Sequence, residues 1–206
     1  GDCALPLQIP LGSENAFAGL IDVLAAEQVH FSGERNVDIH REPLGADQQD
    51  AWREAYNRVV ERVADFSDEV AELFLAEEDV PSELLRREIR RLTLARRLVP
   101  VFVGSAKKSI GLQLLMDGIL DYLPSPLEAT YKAFDVKTAQ EVPVMSDPKA
   151  PFTGFIFKVN ASNTADLFFI RVYSGVLKAN ANVINTRSGD KVRARQLYRI
   201  YAKATE

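Results

Sequence analysis

The chain has 206 residues, of which 47% are hydrophobic and 26% charged, which is ordinary for a soluble globular protein and excludes low-complexity classes. The formal net charge of -4 argues against a simple nucleic-acid binder. No apolar run approaches the roughly 20 residues of a membrane helix, so no membrane partner is expected.

The cysteine content and the N-terminus favour a cytoplasmic protein. Cys3 is the single cysteine and cannot form an internal disulfide, which fits a reducing compartment. The first residues lack the basic, apolar and small-residue order of a secretory signal. With only His30 and His40 as further soft ligands, no zinc site is expected.

Charge is strongly segregated along the chain. Residues 42–79 carry twelve acidic and three basic side chains, whereas residues 80–108 carry two acidic and eight basic ones. Residues 151–206 carry three acidic and nine basic side chains. Two segments are therefore locally basic although the whole chain is acidic.

The first forty residues predict a small β-meander. Residues 5–12 have the composition of a short strand, and 12–15 that of a turn. The segment 19–31 is apolar, and 37–44 alternates apolar and polar residues before ending at a proline. Antiparallel strands joined by short turns are the simplest structure for this pattern.

Residues 47–76 predict one long helix. Its apolar residues recur at spacings of three and four, which places them on one helical face. They are Trp52, Tyr56, Val59, Val63, Phe66 and Val70. Three acidic residues, Glu61, Asp65 and Asp68, recur at the same spacings on the opposite face.

A second helix is predicted to begin at Ser82, a suitable N-cap residue, and to bury Leu85, Ile89 and Leu92. Arginines cover much of its remaining surface. They are able to contact RNA phosphates, but the simpler interpretation is that they balance the acidic segment. These arginines are Arg86, Arg87, Arg90, Arg91, Arg96 and Arg97.

A buried strand at 99–103 is followed by the small-residue loop "GSAKKSIG" and a helix at 111–122. Such a loop is typical of a tight turn between a strand and a helix. It equally suits a planar ligand, because a backbone without bulky side chains allows close approach. The buried face predicted for the helix consists of Leu112, Leu115, Met116, Ile119 and Leu123.

The C-terminal part of the chain changes to a β pattern. Residues 128–150 are mixed and polar and are interpreted as a linker, since "LPSPLEA" ends the preceding helix. After Pro151, β-rich runs alternate with turns, including the hairpin sequence "TRSGDK". This spacing predicts part of a small β-barrel.

The motifs of a complete nucleotide site are absent from these 206 residues. There is no G-x-x-x-x-G-K-[ST] phosphate loop, no D-x-x-G motif and no N-K-x-D motif. There is also no G-x-G-x-x-G sequence, and nothing indicates a Ser–His–Asp arrangement. No catalytic residue and no metal ligand is therefore proposed.

Four segments nevertheless resemble bacterial elongation factor G, in the order in which that family has them. The stretch "PVFVGSAKKSIGLQLLMDGILDYLPSPLEA" resembles the end of its GTP-binding domain, and "PLQIPLGSENAFAGLIDVLAAEQVHF" the start of an insert in that domain. "RVVERVADFSDEVAELFLAEEDVPSELLRREIRR" resembles the helical part of the insert, and "FFIRVYSGVLKANANVINTRSGDKVRARQLYRIYA" the β-barrel domain that follows. The most specific strings are "DYLPSPL" and "FIRVYSGVL".

The resemblance implies a fold class of α/β plus all-β. It implies a partial P-loop GTPase-type α/β domain at 1–127, with an α+β helical insert at about 19–98. After the 128–150 linker, residues 151–206 would be part of a translation-factor β-barrel. The parent protein would use GTP or GDP with magnesium in translocation on the ribosome, whereas the fragment alone is expected to bind neither nucleotide nor metal.

The resemblance also implies binding residues. Ser105, Ala106 and Lys107 match the loop whose backbone amides meet the O6 oxygen of guanine. Glu61, Asp65 and Asp68 match acidic positions of the insert helix that contacts the ribosomal stalk protein, although spacing alone favours a solvated face. The residues that would face ribosomal RNA are Arg171, Lys191, Arg193, Arg195 and Arg199, of which the last four are predicted to share one strand face; a solvated barrel face is the other interpretation.

Two alternatives stay open. Tyr201, Ala202 and Lys203 stand where the family usually has His-Ala-Asn, which indicates a divergent paralogue for translocation, ribosome recycling or ribosomal protection. The chain could instead be a nonenzymatic adaptor whose charge-segregated helix pair binds a protein. An unfinished barrel would expose an edge strand, through which the fragment is expected to self-associate.

Overall fold

A computed structural model of the chain describes residues 3–135, 138–161, 166–201 and 204–205. The chain divides into two compact units, Gly1–Pro124 and Ser125–Glu206. The elements of the first unit are β1 (Ala4–Pro6), β2 (Gln8–Leu11), β3 (Gly19–Asp22), β4 (Glu27–Ser32), β5 (Asp38–Pro43), α1 (Gln49–Ala64), α2 (Asp68–Leu75), α3 (Ser82–Leu94), β6 (Val99–Val101) and α4 (Leu112–Tyr122).

The strands of the first unit form two sheets. β1 and β6 pair in parallel, with Ala4 opposite Val99. β2, β3, β4 and β5 form an antiparallel meander in chain order, which confirms the meander predicted from the sequence. Because β2 begins at Gln8, the four-stranded sheet includes residues before position 19, where the insert was predicted to begin.

The helix predicted over 47–76 is divided in two. α1 ends at Ala64 and α2 begins at Asp68, and Ser67 between them has extended backbone angles (φ -139°, ψ 109°). The prediction of a continuous stripe is therefore wrong. The apolar spacing nevertheless continues across the break, because Val63 before it and Val70 after it are both fully buried. The core is therefore continuous at a point where the helix is interrupted. Phe66, within the break, is 37% exposed.

The core of the first unit lies where α1, α2 and α3 meet β1. α3 buries Leu85, Ile89 and Leu92 as predicted. Ser82 is the first residue of α3 rather than its cap, since Pro81 occupies the N-cap position. Side-chain hydrogen bonds also tie α1 to its surroundings: Trp52 Nε1 donates to the Val23 carbonyl at 2.9 Å, and the Tyr56 hydroxyl donates to the Val80 carbonyl at 2.7 Å.

The buried face of α4 differs from the prediction. Leu114, Gly118 and Tyr122 are the buried residues of this helix. Four of the five residues predicted to be buried are instead exposed by 41–65%, namely Leu115, Met116, Ile119 and Leu123. The cause is a close approach at Gly118, where an added Cβ would lie 2.3 Å from the ring of Phe102. A larger residue at position 118 would require the ring to shift, so glycine lets this side of α4 pack directly against Phe102, while the leucine-rich face lies outward.

The second unit consists of paired strands. They are β7 (Tyr131–Phe134), β8 (Glu141–Val144), β9 (Thr153–Asn160), β10 (Leu167–Ser174), β11 (Ala181–Ile184), β12 (Lys191–Ala194), β13 (Ile200–Tyr201) and β14 (Ala204–Thr205). Each successive pair forms a two-stranded antiparallel sheet. The 128–150 segment, predicted as a linker, therefore contains the β7–β8 ribbon, which is held by a cross-strand ion pair between Lys132 and Glu141 at 2.8 Å.

The described part of the second unit contains no closed barrel and no buried large apolar side chain. In the β9–β10 ribbon, Phe155 is 60% exposed, Phe157 58% and Phe168 52%. Isolated two-stranded ribbons are marginally stable in water unless another layer covers them. No helix within the described ranges is both long and apolar enough to cross a membrane.

Candidate functional site

The loop between β6 and α4 is closed by reciprocal hydrogen bonds. The Ser105 amide donates to the Ile110 carbonyl at 2.8 Å, and the Ile110 amide donates to the Ser105 carbonyl at 3.1 Å. Between these residues, Ala106–Lys108 form one 3-10 turn, and Ser109 lies in the left-handed region with φ of 57°. The first two residues of the turn are exposed.

Two glycines are required for this closure. A Cβ on Gly104 would lie 2.8 Å from the Ile110 carbonyl oxygen. Gly111 has φ of +79°, and a Cβ there would lie 2.6 Å from the Val103 carbonyl oxygen, so any other residue would be both strained and crowded. The small-residue composition of the loop therefore has a structural cause that is independent of any ligand.

The three predicted base-binding residues have different roles in the loop. The amide of Ser105 is already used in the bridge to Ile110. The amides of Ala106 and Lys107 donate to no group in the described part of the chain, as expected for the first residues of a helical turn. Two N–H groups on exposed residues therefore have no acceptor within the described part of the chain, while Ser105 shapes the loop that carries them.

Three residues that the sequence did not single out hold this loop to the four-stranded sheet. The Asn36 side-chain amide donates to the Lys108 carbonyl at 2.7 Å, and the Lys108 ammonium donates to the Asn15 carbonyl at 3.1 Å. Gln113 Nε2 donates to the Asn36 carbonyl at 3.0 Å. These pairs are separated by 72 to 93 residues, so no local sequence signal identifies them.

The predicted acidic residues are all exposed but do not share one helix. Glu61 lies in α1, Asp65 is the C-cap of α1 and Asp68 is the first residue of α2. Asp65 also forms an ion pair with Arg62 at 2.8 Å. The prediction that spacing places them on one helical face is therefore wrong, because α1 ends at Ala64, before Asp65, and Asp68 begins a new helix.

A buried carboxylate anchors the break between α1 and α2. Glu88 of α3 is 7% exposed and accepts hydrogen bonds from Arg91, whose Nε lies at 2.8 Å. Arg91 also donates to the Phe66 carbonyl within the break at 2.9 Å. Burial alone would raise the pKa of Glu88, but hydrogen bonds from Arg91, Ser67 and Arg87 outweigh it and leave that pKa below its ordinary value.

The arginines of α3 are largely used within the first unit. Arg87 forms ion pairs with Glu69 of α2 and with Glu88. Arg90 donates to the Asp121 carbonyl at the end of α4. These contacts favour the interpretation that the arginine-rich helix balances the acidic segment rather than presenting free cations to RNA.

The basic residues of the second unit are exposed but only partly gathered. Lys191 and Arg193 alternate on β12 and so share one face. Arg195 and Arg199 follow the end of β12 at Ala194, so the predicted common strand face does not extend to them. Arg171 lies on β10, opposite Phe155, in a different ribbon. Of the family departures, Ala202 and Lys203 lie outside the described residues.

No cluster of histidine, cysteine or carboxylate side chains suited to a metal ion is found among the residues that the structure describes. The donors that the candidate site offers are backbone amides. Neutral N–H donors of this kind suit a carbonyl-type acceptor on a flat ligand better than they suit a cation.

Known proteins were compared with the chain in sequence and in structure. No protein-family profile matches it. It is 31% identical over 205 residues to elongation factor G 2 of Borreliella burgdorferi and 36% identical over 204 residues to elongation factor G of Fervidobacterium nodosum. Both alignments include 98% of this chain. The chain is similar to part of elongation factor G.

The resemblance to elongation factor G predicted from sequence motifs is thereby confirmed. The chain spans 31% and 29% of the length of those two relatives. A crystal structure of a protein from Thermus thermophilus matches 98% of this chain and 28% of its own, with a TM-score of 0.69 at 24% identity. That match supports the predicted fold class, a mixed α/β unit with a helical insert followed by a β-rich unit.

Proposed function

We propose that this chain is part of a ribosome-dependent translational GTPase of the elongation factor G type, which acts in translocation during protein synthesis in the cytoplasm. The similarity to elongation factor G over 98% of the chain carries the proposal. The chain then contributes the end of the GTP-binding domain with its insert (1–127) and the start of the β-barrel domain (151–206).

The loop after β6 is proposed to bind the guanine base of GTP or GDP. The free amides of Ala106 and Lys107 donate to the O6 oxygen, and Ser105 holds the turn in which they lie. This role is consistent with the exposure of both residues and with the small side chains of Ser105 and Ala106. The amides favour guanine over adenine, because adenine has an amino group rather than an acceptor at position 6.

The donors on this chain are too few to hold a nucleotide by themselves. Each amide hydrogen bond contributes roughly 0.5–1.5 kcal/mol net, whereas millimolar affinity already requires about 4 kcal/mol. Phosphate-binding amides and magnesium supply most of the affinity in a complete GTPase site. The 206-residue chain alone is therefore proposed neither to bind nor to hydrolyse GTP.

The exposed face of α4 supports the proposal that more of a GTP-binding domain packs against this one. Leu120 is 77% exposed and Met116 65%. Among the described residues, the parallel sheet consists of the two strands β1 and β6, and parallel sheets are normally extended and covered on both faces. Additional strands beside β6 would cover both features at once.

A nucleotide-binding experiment and the gene sequence test this proposal together. The gene is read upstream of the Gly1 codon for an in-frame phosphate loop, D-x-x-G and N-K-x-D, and fluorescent GDP is titrated into the 206-residue chain and into the longer product. We expect magnesium-dependent binding by the longer protein only. Absence of the three motifs contradicts the GTPase proposal, and micromolar GDP binding by the short chain contradicts the proposal that it is incomplete.

The acidic residues at the α1–α2 break are proposed to dock the ribosomal stalk protein. Glu61, Asp65 and Asp68 are exposed, and an acidic surface favours a basic partner through long-range attraction. The test is the double charge reversal Glu61→Lys and Asp65→Lys, followed by measurement of stalk-protein affinity. We expect weaker binding with unchanged circular dichroism, whereas unchanged affinity rejects this docking site; Glu54→Lys, on the exposed N-terminal half of α1, is the control.

The basic side chains of the second unit are proposed to contact ribosomal RNA phosphates. Lys191 and Arg193 carry most of this proposal, since they share a strand face. Neutralising both residues should reduce the salt dependence of ribosome binding. The matched control is neutralisation of Lys132 and Glu141, an ion pair in another ribbon of the same unit; equal salt dependence in both variants contradicts the contact.

Two further proposals concern the paralogue and the isolated chain. A role in ribosome recycling or protection is the alternative to translocation, and stopped-flow translocation and subunit-splitting assays separate the two.

A nonenzymatic adaptor is less favoured, because Arg87 and Arg91 of its proposed binding surface are already paired with Glu69 and Glu88. The exposed apolar ribbons of the second unit favour self-association of the isolated chain, which sedimentation over a range of concentrations tests.

A further inference from the structure

The loop that presents the Ala106 and Lys107 amides is held from outside by the four-stranded sheet. The side-chain amide of Asn36, at the turn between β4 and β5, donates to the Lys108 carbonyl at 2.7 Å. The ammonium group of Lys108 donates to the carbonyl of Asn15, in the connection between β2 and β3, at 3.1 Å. One residue of the loop is thus held by two turns of the sheet.

The backbone of Asn36 is in a conformation that non-glycine residues rarely adopt. Its φ is 55°, and that of the preceding Arg35 is 59°. Asparagine tolerates the left-handed region better than most residues, and in this conformation its side chain crosses to the loop. Ser109, directly after Lys108, is also left-handed, with φ of 57°. Two unusual turns therefore meet at a single hydrogen bond.

A second contact makes Asn36 a shared support for the loop and for α4. Gln113, in the first turn of α4, donates through Nε2 to the Asn36 carbonyl at 3.0 Å. The end of the loop and the beginning of the helix are thus both tied to the same residue of the β4–β5 turn. Lys107, by contrast, is exposed, so the two adjacent lysines have different roles.

We infer that Asn36 and Lys108 form a latch through which the four-stranded sheet positions the base-facing amides of Ala106 and Lys107. Asn36 and Lys108 are positioning residues in this arrangement, because the proposed base contacts are made by the amides of Ala106 and Lys107. The latch itself is a property of the chain, whereas its effect on guanine binding rests on the proposed function. Movement of the β4–β5 turn then alters affinity for the base without any change in the phosphate contacts.

Hydrogen exchange on the 206-residue chain tests the latch without any nucleotide. The amides of Lys108 and Ile110 are bonded within the loop, so their exchange reports its opening. Asn36→Gly keeps the left-handed backbone and removes the side-chain donor, and Asn36→Asp replaces that donor with a charged acceptor. We expect both variants to speed exchange at Lys108 and Ile110 by about two- to tenfold.

Matched controls separate loop opening from general destabilisation. Asn180→Gly removes an asparagine with nearly the same backbone conformation, φ of 62°, in the second unit, and should leave exchange in the loop unchanged. Exchange at Leu85 and Ile89 in α3 monitors global stability in every variant. Unchanged exchange at Lys108 and Ile110 in both Asn36 variants overturns the latch.

Nucleotide selectivity tests the effect on the base in the longer product of the same gene. Guanine and hypoxanthine both carry the O6 acceptor, whereas adenine does not. We expect Asn36→Gly to raise the Kd for GDP and IDP by the same factor, about two- to tenfold, and to leave the weak binding of ADP unchanged. A general structural defect would weaken the binding of all three nucleotides, and that result overturns the positioning role.

The two experiments fail in different ways. If the wild-type longer protein binds no GDP, the proposed function is wrong, while the exchange result still decides whether the latch exists. If GDP binds normally in Asn36→Gly although exchange in the loop has accelerated, the latch exists but does not position the amides. Lys108→Met, which keeps an unbranched apolar stem but removes the ammonium group and its bond to Asn15, should produce a smaller effect in the same direction.

Discussion

The two units of this chain both contain paired strands but differ in what covers them. In the first unit, α1 and α3 bury a continuous set of valine, leucine and isoleucine side chains, with Leu85 and Ile89 at 0% exposure. In the second unit, two eight-residue strands pair along their length, with two register shifts, yet Phe155 and Phe157 are more than half exposed. Backbone pairing and apolar burial are thus separable.

The difference shows how far local sequence information reaches. A ribbon forms when alternating residues and a turn bring two strands together, and both signals lie within about twenty residues. A core needs a second layer, which in the first unit is supplied by helices from the same segment. The second unit lacks such a layer among its described residues, so its stability depends on a cover from elsewhere.

Hydrogen exchange tests the comparison most directly. Amides of α3 should exchange only through openings close to global unfolding, about 5–15 kcal/mol for a typical domain. Amides of β9 and β10 should open with a free energy of only a few kcal/mol, since solvent reaches both faces of the ribbon. If the amides of both units are equally protected at every protein concentration, the expected difference in stability between the units is contradicted. If protection of β9 and β10 is lost on dilution, self-association is its cause.

Deleting core volume in the first unit should have the next largest effect. Ile89→Ala removes a fully buried side chain and should lower the free energy of unfolding by about 2–5 kcal/mol. Urea titration followed by fluorescence of Trp52, the single tryptophan, measures it. Ile39→Ala, at a position that is 36% exposed in the same unit, should cost less than about 1 kcal/mol. Equal costs would place Ile89 outside the core.

Removing the Glu88 carboxylate should destabilise the break between α1 and α2. Glu88→Gln weakens the bonds to Arg91 and Arg87 and should cost about 1–3 kcal/mol at neutral pH. Because the folded pKa of Glu88 is lowered, its contribution is present above the ordinary glutamate pKa of about 4.3 and is lost as pH falls through the folded value. The wild-type and variant stabilities should therefore converge in acid; a constant difference between pH 7 and 3 contradicts this.

A larger side chain at the contact between α4 and Phe102, the residue after β6, tests the observed orientation of the helix. Gly118→Ala places a methyl group against the Phe102 ring and should cost about 1–3 kcal/mol. Phe102→Leu should restore part of that stability in the double variant, and a double-mutant cycle measures the coupling. Additive effects would mean that the two residues do not touch and that the leucine-rich face is the buried one.

The smallest effect is expected at an exposed ion pair of the second unit. Lys132 and Glu141 lie 2.8 Å apart with side chains 70% and 50% exposed, so the pair should contribute about 0.2–1 kcal/mol. Exchanging the two residues should preserve exchange rates in β7 and β8, whereas Lys132→Glu alone should raise them slightly. Identical rates in all three proteins would show that turn and register alone hold this ribbon.

Several elements followed from the sequence because their signals are local. The meander over the first forty residues was predicted from alternation and turns, and Leu85, Ile89 and Leu92 from helical spacing. The loop around Ser105 was located by its small residues, and the family by motifs such as "DYLPSPL". The Asn36–Lys108 contact had no such signal, because its partners are 72 residues apart.

Two of the incorrect predictions share one cause. Helical spacing continues from Val63 to Val70 although the helix ends between them, and the most apolar face of α4 was taken as its buried one. Hydrophobic periodicity reports which residues avoid water in the complete protein, but not which neighbour covers them. Gly118 and Glu88 decide these two cases through contacts with Phe102 and Arg91.

By itself, the sequence determined the meander over the first forty residues, the apolar positions of α3 and the resemblance to elongation factor G. Only the tertiary structure decided where the first helix breaks, which face of α4 turns inward and which amides of the Ser105 loop remain free. Secondary structure depends on contacts within a few residues, which composition and spacing encode. Breaks, faces and free donors depend on partners distant in the chain, and these become neighbours only after folding.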